Sequence, residues 1–232
     1  MLQVMEASKH LVGQNGSTEE KESSDSQGSS VSSKNSEGEK GKNIEKYYIE
    51  NNSILLRNTN SIDWNDLAIQ AEDLYNSWTT ITLDLNTLNV SNENVLSYNT
   101  NLDNLILSIK NKDKANSAIC LANLYSLIPK YMDETLEDET KLKIANIKSN
   151  VIFAYSLVEI EKWDDIINLL GNAEKDLTTF INSSNNLSTT KRAKANKAYV
   201  LLKELIKSSN DKNKDMFYFK YINLIQELEN IW

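Results

Sequence analysis

Residues 64–88 read WNDLAIQAEDLYNSWTTITLDLNTL, and large apolar side chains recur in them at alternating steps of three and four residues. That spacing keeps the apolar side chains on one face of an α-helix for about seven turns. Asp63 comes just before the first of them, where a carboxylate can accept hydrogen bonds from the free N–H groups of the first turn. We therefore predict a long helix that begins after Asp63 and ends near Asn89.

The same spacing returns in six further stretches that are separated by polar residues. Their apolar series begin at Val95, Ala118, Ile144, Trp163, Ala195 and Phe217. No stretch alternates apolar and polar residues over a useful length, as a half-buried strand would. The sequence therefore predicts an all-α fold of six or seven helices.

Two positions leave the helix boundaries open. The polar run Asn111–Lys114 is either a tight turn or an exposed stretch of one long helix. Pro129 removes a backbone donor and disfavours helical geometry at Ile128, so we expect the helix to end or kink there.

The arrangement of the helices also has two interpretations. We prefer an irregular bundle of antiparallel helices, because short links make consecutive helices antiparallel neighbours. The alternative is a set of stacked helical hairpins, since Ala154-Tyr155 followed by 162–165 (KWDD) resembles part of a tetratricopeptide hairpin. The similar segments around Tyr125, Tyr155 and Tyr199 are 30 and 44 residues apart, so these tyrosines show no fixed period.

The composition changes near residue 44. Residues 15–43 are rich in Ser, Glu, Lys and Gly, and Val31 is their only aliphatic side chain. Such a segment buries too little apolar surface to offset its ordering entropy. We predict a disordered tail or tether at 1–44, a connecting segment at 45–61 and a helical domain at 62–232.

A short motif lies inside the tail. Leu11-Val12-Gly13 resembles the end of a bacterial lipoprotein signal, in which Leu-x-Gly precedes a lipidated cysteine and a polar tether follows; Gln14 occupies the position of that cysteine. The resemblance implies a helical domain tethered outside a bacterial cell if the natural N-terminus carries a signal. Without a signal we expect the cytoplasm.

Composition excludes several classes of function. The net charge is −8 with two arginines, which disfavours binding to nucleic acid. The single histidine is His10, so Ser-His and Cys-His pairs are excluded from the helical domain. Gly171 is the only glycine after the tail, so phosphate-binding loops are excluded too. We expect no cofactor, no metal and no transmembrane segment.

One uncharged stretch suggests a binding site. Residues 76–82 carry no charge on any face, and Ile69 and Leu83 lie opposite the apolar face, so we expect α-helix 64–88 to be covered on more than one side. If the chain folds back at Ser91, Tyr98 lies roughly opposite Asp84 and can donate a hydrogen bond to it. A satisfied structural Asp is one interpretation. The other is a small polar pocket whose residues are Trp78, Thr79, Thr82, Asp84 and Tyr98.

A second candidate surface lies near the C-terminus. Phe217 and Tyr221 share the apolar face of the last helix, but Tyr218 and Phe219 do not. Either that helix is buried on two sides, or Tyr218 and Phe219 form a partner surface.

Three functions follow from these observations. The first is a non-catalytic helical domain on a flexible tether, which binds a protein or a small ligand at a bacterial surface. The second is a cytoplasmic adaptor built from helical hairpins. The third is an enzyme that uses carboxylates alone, which we favour least.

Overall fold

The computed structural model describes residues 62–88, 90–135, 138–183 and 188–231. The predicted tail, the connecting segment and the motif Leu11-Val12-Gly13 lie outside these residues. Within the described ranges there are seven α-helices and no strand, which confirms the all-α class. The helices are α1 (Trp64–Thr87), α2 (Asn92–Lys110), α3 (Lys114–Thr135), α4 (Glu139–Ser156), α5 (Trp163–Ser183), α6 (Thr189–Asn210) and α7 (Lys214–Glu229).

Helix α1 begins as the sequence predicts. The Asp63 carboxylate accepts hydrogen bonds of 3.0 Å from the N–H groups of Asn65 and Asp66, which satisfies two donors of the first turn. Apolar side chains of its predicted face are buried, among them Ala71, Leu74, Trp78 and Leu85.

Three pairs of helices are joined by the same tight turn. The pairs are α2 with α3, α4 with α5, and α6 with α7; we call them hairpins 1, 2 and 3. Each turn has one residue in the left-handed region, with φ of 56°, 55° and 52°, and the next residue donates its N–H to the carbonyl five positions earlier. The left-handed residues are Lys112, Glu161 and Lys212. The run Asn111–Lys114 is therefore a tight turn.

The buried positions recur with the turns. From Lys112 to Glu161 is 49 residues, and from Glu161 to Lys212 is 51. Five side chains at matching distances before each turn are buried: Val95, Tyr98, Leu102, Leu105 and Ile109; Ile144, Ile147, Val151, Ala154 and Val158; Ala195, Ala198, Leu202, Leu205 and Ser209. The described part of the chain thus contains three structurally equivalent hairpins with a period of about 50 residues.

The helices enclose two main cores. Helices α4–α7 form a ring in which each helix contacts the next and α7 returns to α4, and their inward side chains make one core. Helices α1–α3 pack in sequence around a second core. Tyr125, Ile128 and Met132 of α3 pack with Ala145 of α4 and join the two.

Of the two alternatives expected at Pro129, an end or a kink of the helix, the end is wrong. Helix α3 continues to Thr135, and Pro129 is buried within it. Its neighbours Ile128 and Met132 pack against α4. The packing of this buried face stabilises the helix beyond the missing backbone hydrogen bond.

Candidate functional site

Trp78 and Tyr98, two residues of the predicted pocket, are in direct contact. Their rings are stacked with centroids 3.7 Å apart, and the Trp78 indole donates a 2.5 Å hydrogen bond to Asn99 Oδ1. The Tyr131 ring lies 5.9 Å from Trp78. These three rings, one from each of α1, α2 and α3, pack against one another in the second core.

The expected hydrogen bond between Tyr98 and Asp84 is wrong. The Tyr98 hydroxyl is buried without a hydrogen-bond partner, and burial, with a contribution from Tyr131, holds the pKa of Tyr98 far above its usual range. Asp84 is exposed because the neighbouring Leu85 takes the core position on α1. Tyr98 is therefore a neutral phenol with an unsatisfied donor.

The two threonines of the predicted pocket bond to their own helix. Thr79 Oγ1 donates to the carbonyl of Tyr75 at 3.1 Å, and Thr82 Oγ1 donates to the carbonyl of Trp78 at 2.9 Å. Thr79 is exposed, as is Asp84, whereas Thr82 is half-buried. The structure thus brings Trp78 and Tyr98 together but does not gather all five residues around one cavity. A ligand at this set stays a prediction.

The two residues of the predicted partner surface have different surroundings. Tyr218 is half-buried, its ring meets the edge of Tyr155 at 5.5 Å, and its hydroxyl donates to Glu159 at 2.8 Å. Phe219 is 42% exposed. The side of α7 that carries Tyr218 therefore packs on α4, whereas Phe219 is exposed; a partner at these residues stays a prediction.

Glu159 joins the three hairpins at their turn ends. It lies in the turn of hairpin 2 and accepts hydrogen bonds from Lys114 at the start of α3 and from Tyr218 of α7. Burial acts to raise the pKa of Glu159, but these two hydrogen bonds, together with the charges of Lys114 and Lys214, hold it below its ordinary value. No local pattern in the sequence predicts this contact.

A charged side chain is buried between α3, α4 and α7. Lys148 is 3% exposed; its ammonium lies 3.4 Å from Glu229 Oε1 and 5.7 Å from the centroid of the Tyr125 ring. A carboxylate and an aromatic face both offset the cost of burying a cation. Sequence reasoning missed Lys148, although its position four residues after Ile144 placed it beside the apolar series of α4.

Most exposed apolar side chains belong to α1, α2 and the link between them. Ten large apolar residues are exposed in the described part of the chain, and six of them lie between residues 69 and 107. They are Ile69, Tyr75, Leu83, Leu88, Leu96 and Leu107. The expectation that α1 is covered on more than one side is wrong for Ile69 and Leu83, which are 59% and 67% exposed.

Two further features bear on the kind of site. Over the described ranges, no group of three or more His, Cys, Asp or Glu residues is arranged to hold a metal ion. No helix in that part of the chain combines the length and the apolar character needed to cross a bilayer.

Comparison of the chain with protein-family models, with curated proteins and with solved structures finds no match.

Proposed function

We propose that the helices form a non-catalytic interaction domain and that α1 and α2 carry its contact surface. The observation that supports this proposal is the placement of six of the ten exposed large apolar side chains on α1, α2 and their link. Single exposed apolar residues are normal, but a concentration of them in one part of a domain favours a binding surface.

The exposed residues follow the helix period. Ile69 and Leu83 of α1 are fourteen residues apart, and Leu96 and Leu107 of α2 are eleven apart, so each pair lies on one face of its helix. Leu96 also lines an open groove with Glu93, Ser97, Thr100 and Asn101. A partner can therefore contact two apolar side chains on one helix without any change in this helix.

Packing behind the surface makes it rigid. Trp78 is 3% exposed and stacks on Tyr98, which fixes α1 against α2. A contact surface that is ordered before binding loses less conformational entropy when a partner arrives. This rigidity supports a binding function for α1 and α2.

The tether predicted for residues 1–44 and a location at a bacterial surface stay proposals. The three equivalent turns also suit a cytoplasmic adaptor of helical hairpins, because repeated helical units commonly supply binding surfaces. The two proposals use the same surface and differ in location. A carboxylate-only enzyme remains the least favoured function.

Site-specific photo-crosslinking tests the proposed surface. A photo-crosslinking amino acid replaces Leu83 in one variant and Val200 in a control, and both variants are illuminated in the cells that produce the protein. Val200 is a good match because it is 60% exposed on α6. We expect the variant at Leu83 to give a discrete crosslinked product that the variant at Val200 does not give.

A second variant makes the result specific. Leu96→Ser in the Leu83 crosslinking variant should reduce the yield of that product, while Val200→Ser should leave it unchanged. Equal products from positions 83 and 200, or a product that neither serine variant affects, would contradict the proposed surface.

A further inference from the structure

The first two helices contain a single basic residue, Lys110, which is the last residue of α2. Between Trp64 and Ile109 the sequence has no Lys or Arg and six acidic residues: Asp66, Glu72, Asp73, Asp84, Glu93 and Asp103. From Lys110 to the C-terminus it has 18 basic and 17 acidic residues. The negative charge of the helical domain is therefore concentrated on α1 and α2.

These acidic residues are available to a partner. All of them except Asp66 are exposed, and every ion pair among the described residues lies outside α1 and α2. Because residues 64–109 contain no cation, no basic side chain within this stretch offsets the field of these carboxylates.

Apolar and acidic side chains alternate along the exposed faces. On α1, Glu72 and Asp73 lie between Ile69 and Leu83. On α2, Asp103 lies between Leu96 and Leu107. A partner that fits such a face places apolar side chains on the leucines and isoleucine, and cations between them.

We propose that α1 and α2 bind a basic amphipathic helix of a partner protein, an inference that rests on the proposed function. Apolar anchors on the partner contact Leu83 and Leu96, and its Lys or Arg side chains pair with Glu72, Asp73 and Asp84. A helix laid along a helical surface is a common mode of recognition, in which anchors recur every three to four residues.

The charge of the surface selects this partner over a second copy of the chain. A symmetric dimer through α1 and α2 brings the same acidic patch of each copy together, and like charges at an interface disfavour association. An anionic membrane is disfavoured for the same reason.

Binding of two designed peptides tests the proposal. Both are helical and about 18 residues long, or five turns, with leucines on one face. The other face carries lysines in one peptide and glutamates in the other. Fluorescence anisotropy measures the dissociation constant of each with the complete chain. We expect the lysine peptide to bind, and to bind about tenfold more weakly when salt rises from about 0.05 M to about 0.5 M.

Matched variants separate charge from apolar contact. The triple variant Glu72→Gln, Asp73→Asn, Asp84→Asn should weaken the lysine peptide about tenfold, because each exposed ion pair contributes a modest free energy. The control triple variant Asp133→Asn, Glu139→Gln, Asp176→Asn changes three acids outside α1 and α2 and should shift the dissociation constant less than about twofold.

Four results would overturn the proposal. Equal binding of the glutamate peptide would show that the partner does not need to be basic. An equal loss of affinity in the control triple variant would show that acidic residues outside α1 and α2 contribute as much to binding. A dimer of the unmodified chain in analytical ultracentrifugation that Leu83→Ser dissociates identifies a second copy as the partner. If the double variant Leu83→Ser, Leu96→Ser abolishes binding but the acidic triple variant does not, the proposed contact surface is supported and the proposal that the partner helix is basic is refuted.

Discussion

The Tyr218 hydroxyl on α7 donates a 2.8 Å hydrogen bond to Glu159 in the turn between α4 and α5. Lys114, at the start of α3, donates to the same carboxylate oxygen. One carboxylate thus receives donors from hairpins 1 and 3 while belonging to hairpin 2. Other polar pairs, such as Lys148 with Glu229, join hairpins 2 and 3 alone, whereas Glu159 links all three hairpins through one carboxylate.

Replacing Glu159 by Gln should destabilise the fold. Gln has the same shape as Glu, but it lacks the negative charge to which Lys114 and Tyr218 donate hydrogen bonds. We therefore expect the free energy of unfolding at pH 7 to fall by about 1 kcal/mol, a value discounted for the partial exposure of the site. Urea denaturation followed by circular dichroism measures it.

The pH dependence of this contribution has a defined sign. The pKa of Glu159 is lower in the folded chain than its ordinary value of 4.5. Its contribution is therefore fully present above pH 4.5 and is lost as the pH falls through the folded value. The unmodified chain and Glu159→Gln should converge in stability at low pH. Glu161→Gln is the control, because Glu161 pairs with Lys214 at 2.8 Å but is 63% exposed; an equal loss there would contradict a special role for Glu159.

Much of the fold follows from the spacing of apolar residues, but its regularity does not. The hairpins repeat in geometry, yet equivalent positions carry different residues, such as Val95, Ile144 and Ala195. The turns contain Lys or Glu in the left-handed region, where sequence reasoning looks for glycine. The three hairpins therefore match in backbone conformation and in the positions of their buried residues, but not in residue type, so the repeat is not visible in the sequence.

The candidate site was predictable only in its local part. The fold-back at Ser91 was expected to set Tyr98 opposite Asp84, and in the structure Tyr98 stacks on Trp78. The orientation of Asp84 was not evident, because it stands between Leu83 and Leu85, of which one is exposed and the other buried. Contacts between residues far apart, such as Glu159 with Tyr218 at a separation of 59, leave no periodic pattern in the sequence.

Tyr98→Phe should leave the stability unchanged or raise it by up to about 1 kcal/mol. The substitution removes a buried hydroxyl that has no partner and keeps the ring that stacks on Trp78. Tyr131→Phe is the matched control, because the Tyr131 hydroxyl donates to the carbonyl of Asn94 at 2.8 Å, and it should cost about 1 kcal/mol. Thermal unfolding compares both variants; a larger loss for Tyr98→Phe than for Tyr131→Phe would show that the Tyr98 hydroxyl is satisfied.

Lys112→Gly should stabilise hairpin 1. Lys112 has a φ of 56°, a conformation that costs a residue with a Cβ roughly 1 kcal/mol and costs glycine almost nothing. We expect a gain of about 0.5 kcal/mol in the free energy of unfolding, since glycine also loses more backbone entropy. Lys175→Gly, on the exposed side of α5, should instead lose about 1 kcal/mol. If both variants lose stability equally, the turn does not hold Lys112 in the left-handed region.

The buried pair of Lys148 and Glu229 should respond differently to single and double substitution. Lys148 is 3% exposed and its ammonium lies 3.4 Å from the Glu229 carboxylate, so Glu229→Gln takes a compensating charge away from a buried cation. We expect a loss of about 2 kcal/mol for this variant. Adding Lys148→Met replaces the cation with an apolar side chain of similar length that suits its surroundings in α3 and α7, and should recover most of that loss. Urea denaturation of the two single variants, the double variant and the unmodified chain gives the coupling energy directly. Strictly additive losses would mean that Lys148 is stabilised by something other than Glu229, and the Tyr125 ring at 5.7 Å would then be the next side chain to replace.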